Sequence, residues 1–216
     1  MVALHVAIII MLWSFPARCV EELPIGLEEA DILADAPAMY QRATFGAGCF
    51  WGTERYFKKE FGAQLHDAFV GYTGGSIDNP TYKQVCSGTT NHAEVLSFTF
   101  DPAATPYASL LSFFFRMHDP TTLNRQQGDR GTQYRSAVFY HTPEQKDLAE
   151  RMILDFNTRG SALNQKLQKA FGPQATVVAT VESGAGPIYR AEDYHQQYLD
   201  ANPTGYCSHK IYMPAL

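Results

Sequence analysis

Cysteine is scarce in this chain, with four among 216 residues, at positions 19, 49, 86 and 207. They are too few and too scattered for a disulfide scaffold, and no CxxC pair or Cys/His cluster has the spacing of a zinc site, so no metal is expected. Charge is thin and balanced: 22 acidic against 17 basic residues give a formal net charge of -5, with no long run of either sign. Without a basic stripe to follow a phosphate backbone, nucleic acid is excluded as a partner. The apolar run "VALHVAIIIMLW", Val2 to Trp13, is too short to cross a bilayer, so no stable membrane insertion is expected. Repeats and low-complexity segments are absent. What is present is a chain 45% hydrophobic, with 14 Phe, 12 Tyr and 16 Gly. That suffices for one domain with its own core, expected as a monomer.

The N-terminal run has the length of a signal-peptide core, and the small-x-small pattern in "ARCV" permits cleavage between Cys19 and Val20. No Lys or Arg precedes it, and a buried strand or an arm also fits. The expected organisation is a leader over residues 1–19, an acidic linker or arm over 20–41 interrupted by Pro24 and Pro37, and one catalytic domain over 42–216. A cleaved leader implies the secretory pathway or an extracytoplasmic site; otherwise the protein is cytoplasmic or organellar.

Beyond residue 40, short extended segments alternate with helical ones. Strands are expected at 42–47, 65–75, 93–101, 133–141 and 175–183, with 93–101 half-buried because its apolar residues recur with period two. Helices are expected at 50–62, where Phe50, Glu54 and Phe57 share a face and Gly62 is a stop, and at 80–88, 106–119 and 191–199. Residues 143–171 read as one or two amphipathic helices, broken near Gly160. This alternation predicts an α/β or α+β sandwich around a mixed sheet.

The stretch "GAGCFWGTERYF" (46–57) concentrates the chemistry. Cys49 stands between small residues and two aromatics where a strand gives way to a helix, and a helix N-terminus favours a thiolate. Phe50 and Trp51 supply an apolar wall for a small, mostly apolar substrate. Glu94, at the start of a strand and followed by apolar residues, is expected to be desolvated and protonated near neutrality. Tyr82 and the junction "GDRGTQYRS" (128–136), with Asp129 and Tyr134, offer further polar groups. Cys207, in the flexible tail "NPTGYCSHK", suits a resolving thiol that attacks a sulfenic acid. Cys86 is expected to be an inert core thiol.

The ordered motifs "GCFWG" (48–52), "GYTGG" (71–75), "NPTY" (79–82), "VCSGTTNHAEV" (85–95), "HDPTT" (118–122), "GDRGTQYRS" (128–136) and "AEDYHQQYL…NPTGYC" (191–207) resemble those of the A-type peptide methionine sulfoxide reductases. The resemblance covers the chain from about residue 42 onward. It implies a ferredoxin-like two-layer sandwich with a long coiled C-terminal tail. It also implies that Cys49 attacks the sulfoxide sulfur, while protonated Glu94, helped by the Tyr82 and Tyr134 hydroxyls, donates to the oxygen. Phe50 and Trp51 would hold the S-methyl group, Asp129 would shape the polar side, and Cys207 would condense with the Cys49 sulfenic acid. The implied substrate is methionine S-sulfoxide in oxidised proteins or peptides. Thioredoxin or a similar reductant is the implied partner, with no bound cofactor. Two departures stand out: Asn91 occupies a position where the family often has Gly, and Gly128 directly precedes Asp129. Two other readings use the same thiol, a cysteine hydrolase or acyltransferase with His92 or His195 as base, and a non-enzymatic thiol sensor.

Overall fold

The computed structural model describes residues 40–216; the expected leader, and the expected linker as far as residue 39, lie outside them. Strand β1 (Gln41–Ala47) turns Ala43, Phe45 and Ala47 to one side, and α1 (Phe50–Phe61) follows after two residues. Then come β2 (His66–Thr73), the one-turn α2 (Tyr82–Cys86), β3 (Ala93–Phe100) and α3 (Tyr107–Met117). A small hairpin of β4 (Arg125–Gln126) and β5 (Asp129–Arg130) leads into β6 (Ser136–Tyr140). Helices α4 (Pro143–Asn157) and α5 (Ala162–Phe171), β7 (Thr180–Ser183), β8 (Tyr189–Arg190) and the four-residue α6 (Tyr198–Ala201) complete the order.

The sheet runs β7-β6-β1-β3-β2-β8, with β6–β7 parallel and every other pair antiparallel. Its inner order, β6-β1-β3-β2, arises because β3 inserts between β1 and β2, which α1 connects. That is the split βαβ arrangement of a ferredoxin-like core. Helices cover one face, where Phe45 stacks on Phe57 and Phe114 at centroid distances of 5.3 and 5.1 Å. Emptying such a position, as in Phe57→Ala, costs about 3–5 kcal/mol.

The sequence expectations hold for most elements, and the departures have causes. β3 does alternate: Leu96, Phe98 and Phe100 join the helical core, while Ala93 and Val95 face the other side. It is nevertheless buried at every position except Thr99, because it is central and Ala137, Phe139 and Ile188 cover its second face. The strand expected over 175–183 pairs only from Thr180. Upstream, the Val178 N–H donates to the Pro120 carbonyl and the Val177 N–H to the Asn157 side chain. The helix expected over 191–199 is a 3₁₀ turn (Asp193–His195) followed by α6. Gln41, assigned to the linker, already pairs with Phe100. Asn91 has φ +57°, the left-handed conformation that Gly adopts freely and Asn tolerates, so the turn would accept either residue. Among the described residues, no helix is long and apolar enough to cross a membrane.

Candidate active site

The end of β1 delivers the backbone to the site. Gly48 turns it with φ +89°, and the space a Cβ would need there is filled by the Gln126 side chain. Cys49 follows as the N-cap of α1, making no side-chain cap bond, and is 9% exposed. Glu94 enters from β3 on the helix side, fully buried. The Phe50 N–H donates to Glu94 Oε2 at 3.0 Å, so the carboxyl grips the amide next to the nucleophile. Burial, opposed by that N–H and reinforced by the charge of Asp129, raises the Glu94 carboxyl to about 8. The acid is therefore protonated at neutral pH, as its sequence context predicts.

The thiol departs from expectation. Burial, then the charge of Glu94, push Cys49 well above the usual thiol range, although the Trp51 and Gly52 N–H groups pull it down. The helix terminus acts in the expected direction and loses to desolvation, which is the larger effect at a site closed to water. The Glu94 contribution vanishes when that carboxyl is protonated. Cys49 thus rests as a thiol and becomes a thiolate only when something removes its proton.

Phe50 and Trp51 make the apolar side. Phe50 is 1% exposed and packs on Tyr72 and His195, with centroids 5.8 and 5.1 Å apart. Trp51 stacks on Tyr198 at 3.8 Å, and its indole N–H donates to His195 Nδ1 at 3.0 Å. Tyr82 and Tyr134 both feel the charges of Glu94 and Cys49, and burial raises both phenols. Tyr82 is anchored by its own N–H, which donates to Glu192 Oε1 at 2.9 Å. Its hydroxyl lies against the Cys86 sulfur. Cys86, expected in the core, is exposed instead, because α2 is a single turn whose only buried residue is Val85.

Asp129 follows the two-residue turn of the β4–β5 hairpin, in which Gln127 is left-handed at φ +52°. It accepts from Ser208 Oγ at 3.3 Å, and the Tyr206 hydroxyl also engages it; these bonds oppose the burial that raises its pKa. The tail carrying Cys207 is thereby laid beside the site. Next along, His209 is buried: its Nε2–H donates to the Ala47 carbonyl at 2.7 Å, and its own carbonyl accepts from the Tyr56 hydroxyl at 2.9 Å. Cys207 is half-buried and unbonded, at a cavity of about 320 Å³ that it shares with Arg55, Tyr56, Lys59 and His209. Sequence reasoning missed Glu192, Tyr206, Ser208 and His209; only their closeness to His195 and Cys207 in the tail hinted at them.

Neither histidine considered as base in the hydrolase reading has a free acceptor nitrogen. Both His92 nitrogens are engaged, Nδ1 by the Gly75 N–H at 3.2 Å and Nε2 by the Ile77 carbonyl at 2.8 Å. His195 spends Nδ1 on Trp51. A buried thiol beside a protonated carboxyl, with an apolar wall and a second thiol on the tail, is reductase chemistry. A family model described as peptide methionine sulfoxide reductase matches residues 41–214. The chain belongs to the peptide methionine sulfoxide reductase family. It is 46% identical over 168 residues to the peptide methionine sulfoxide reductase MsrA of Methanothermobacter thermautotrophicus, covering 78% of this chain and 91% of that one. To the probable peptide methionine sulfoxide reductase of Schizosaccharomyces pombe it is 45% identical over 171 residues, covering 78% and 94%. Reduced Mxr1 from Saccharomyces cerevisiae superposes with a TM-score of 0.68 at 36% identity, covering 82% of this chain and 94% of Mxr1.

Proposed function

We propose that this member of the family reduces methionine S-sulfoxide in oxidised proteins and peptides to methionine, through a Cys49 sulfenic acid that Cys207 resolves as a disulfide. The observation that carries the reading is the bond from the Phe50 N–H to Glu94 Oε2, which fixes a protonated carboxyl one peptide away from the thiol. With Oε2 accepting, the carboxyl proton is left to Oε1. A sulfoxide oxygen leaves sulfur only when protonated, so a neutral acid beside the nucleophile meets the central chemical need.

Phe50 and Trp51 receive the S-methyl group, and the Tyr82 and Tyr134 hydroxyls donate to the sulfoxide oxygen. Glu94 gives that oxygen its proton while taking the Cys49 proton in exchange. The Cys49 sulfur bonds to the sulfoxide sulfur; the hydroxyl then passes from that sulfur to Cys49 as the S–O bond and the new S–S bond break and the electron pair of the S–S bond returns to the methionine sulfur. Methionine leaves and Cys49 is a sulfenic acid. The Cys207 thiol then attacks that sulfur and expels water. An external dithiol of the thioredoxin type reopens the disulfide by exchange, with the cavity at Cys207 as its approach. This scheme accommodates the high resting position of the thiol, since the proton transfer that frees the sulfur is coupled to substrate binding. Asp129 shapes the polar side and holds the tail through Ser208.

A fixed acid on one side and a methyl pocket on the other admit one sulfur epimer. The test is incubation with separated S- and R-epimers of a methionine sulfoxide peptide and dithiothreitol. Only the S-epimer should be consumed; equal consumption of both, or of neither, overturns the reading. The compartment rests on residues 1–19, and we propose secretion by a cleaved leader. N-terminal sequencing of the mature protein decides it, a start at Val20 supporting the proposal and a retained Val2–Trp13 run defeating it.

A further inference from the structure

The face of the sheet turned away from the helices carries a polar row that sulfoxide reduction does not use. Phe45, Val70, Leu96 and Val138 point into the helical core, so the alternation of each strand sends their neighbours to the far face. The register then lines up Phe69 on β2, Ser97 on β3 and Thr44 on β1, with Arg42 two residues before Thr44 and His141 just beyond β6. Thr44 and Ser97 are fully buried. The Arg42 Nη1–H donates to Ser97 Oγ at 3.2 Å, the two hydroxyls meet at 3.0 Å, and Thr44 Oγ1 meets His141 Nε2 at 2.9 Å. The connection from β7 to β8 passes over this face, where Ile188 packs on it. Beneath the connection lies a cavity of about 430 Å³, lined by Arg42, Phe69, His141, Gly184, Gly186 and Ile188. Gly184 lets the chain lie against the His141 ring, since a Cβ there would come within 2.6 Å of it.

Two hydroxyl protons and one imidazole proton have to be placed along that chain of bonds. Burial and the Arg42 charge hold the imidazole at about 4, so at neutral pH it carries a single ring proton. A guanidinium only donates, so Ser97 Oγ accepts from Arg42. Were the ring proton on Nε2, the one contact between the hydroxyls could use only one of their protons. The other would be a buried O–H without an acceptor, an uncommon and unfavourable state. With Nε2 accepting, Ser97 donates to Thr44, Thr44 donates to His141, and every proton is used. The ring proton then sits on Nδ1, which has no partner among the described residues. Arg42 uses one N–H on Ser97 and has others to give, and neither it nor His141 pairs with a carboxylate among the described residues. Arg190 adds a further cation beside the cavity, its guanidinium carbon 5.5 Å from the Phe69 ring centroid. The cavity thus has donors and positive charge on one side, Phe69 and Ile188 on the other, and no acidic side chain in its lining. We infer that it is a second binding site, for a small carboxylate with an apolar body. The carboxylate oxygens accept from Arg42 and from the His141 Nδ1–H, and the body lies on Phe69 and Ile188. The site is across the sheet from Glu94 and stands whether or not the substrate reading does.

Octanoate is the probe, titrated into the full reduced chain by calorimetry and followed by NMR of the nitrogen-labelled protein. Acetate shares its headgroup without the body, octanol the body without the charge, and octylammonium reverses the charge. Octanoate should bind at least about tenfold more tightly than octanol, the least that hydrogen bonds to an ionised group command, and more tightly than acetate or octylammonium. Arg42→Met keeps the stem and removes the charge; it should weaken octanoate by about tenfold and leave octanol unchanged. In the free protein the His141 proton should be found on Nδ1, and that nitrogen should shift as octanoate is added. No heat and no shift at about 10 mM octanoate, where a millimolar site is nearly filled, overturns the inference. Equal affinity for octanol or octylammonium overturns it as a merely apolar groove, and equal affinity for acetate as a bare anion site. A His141 proton on Nε2, or an octanoate affinity unmoved in Arg42→Met, sinks it too. Should Arg42→Met not fold, the wild-type spectrum decides: shifts centred on His141 and Phe69 support the site, and shifts centred elsewhere defeat it. None of these readouts involves turnover, so a protein inactive on every sulfoxide would defeat the substrate reading and leave this one measurable.

Discussion

At the scale of single residues, the site is a contest between a helix terminus and burial. Cys49 sits where the opening N–H groups of α1 lower a thiol pKa, and the desolvation of the same spot raises it further than they lower it. Glu94 feels the same desolvation and stays protonated up to about 8. The working state needs that proton, so kcat/KM for a sulfoxide should fall as pH rises through about 8. A carboxyl with the ordinary value would place the fall near 4–5. Glu94→Gln should lose roughly two to four decades of sulfoxide reduction and abolish this limb of the pH profile. Stopped-flow consumption of the sulfoxide measured from pH 6 to 9.5 checks both. Which side chains gather at the site was largely legible: Cys49, Glu94, Phe50, Trp51, Tyr82, Tyr134 and Asp129 all meet there. How their environments compete was not, because proximity to a helix end is written in the chain while the amount of excluded water depends on remote segments folding over it.

At the scale of elements, strand and helix positions were readable wherever local pattern and tertiary pairing agree. They failed where pairing had no partner to offer. "ATVVATVES" has the residues of a strand along its whole length, yet β6 pairs with it only through Ala137–Tyr140, so the first part turns to other bonds. The two-residue strand β8 carries too little pattern to be seen, and its place is set by Gly71, where a Cβ would strike the Tyr189 carbonyl. A similar fit joins α1 to the tail. Gly52 leaves a notch that the His209 imidazole fills, and any side chain there would strike the ring. Gly52→Val should expel the tail from its seat and cost about 1–3 kcal/mol of stability by overpacking. Dithiothreitol should still reduce the Cys49 sulfenic acid directly, so turnover with dithiothreitol should outlast turnover with a thioredoxin, which needs the Cys207 disulfide. Equal loss with both reductants would show that the notch serves packing alone.

At the scale of the whole molecule, buried imidazoles oppose the fold on the acid side, and three carry the largest shifts among the described residues. Burial holds His118 at about 3, and His209 and His141 at about 4, all below the free value near 6.5. The unfolded chain binds these protons first, so their contribution to stability is complete above pH 6.5 and is lost as pH falls from there toward 3–4. Urea midpoints should drop steadily across that window. His118, bonded to the Phe114 carbonyl and to Ser136 Oγ, and His209, seated against Ala47, should account for most of it.

The three described cysteines differ in how openly they meet solvent: Cys86 is exposed, Cys207 half-buried and Cys49 buried. An alkylating electrophile such as iodoacetamide should therefore tag positions 86 and 207 before position 49, as peptide mapping of partially labelled protein would register. Hydrogen peroxide should follow the same order. A molecule whose work begins when cells are flooded with oxidant keeps its most valuable sulfur where the flood arrives late, and lets that sulfur be oxidised chiefly by the damaged side chain it is there to mend.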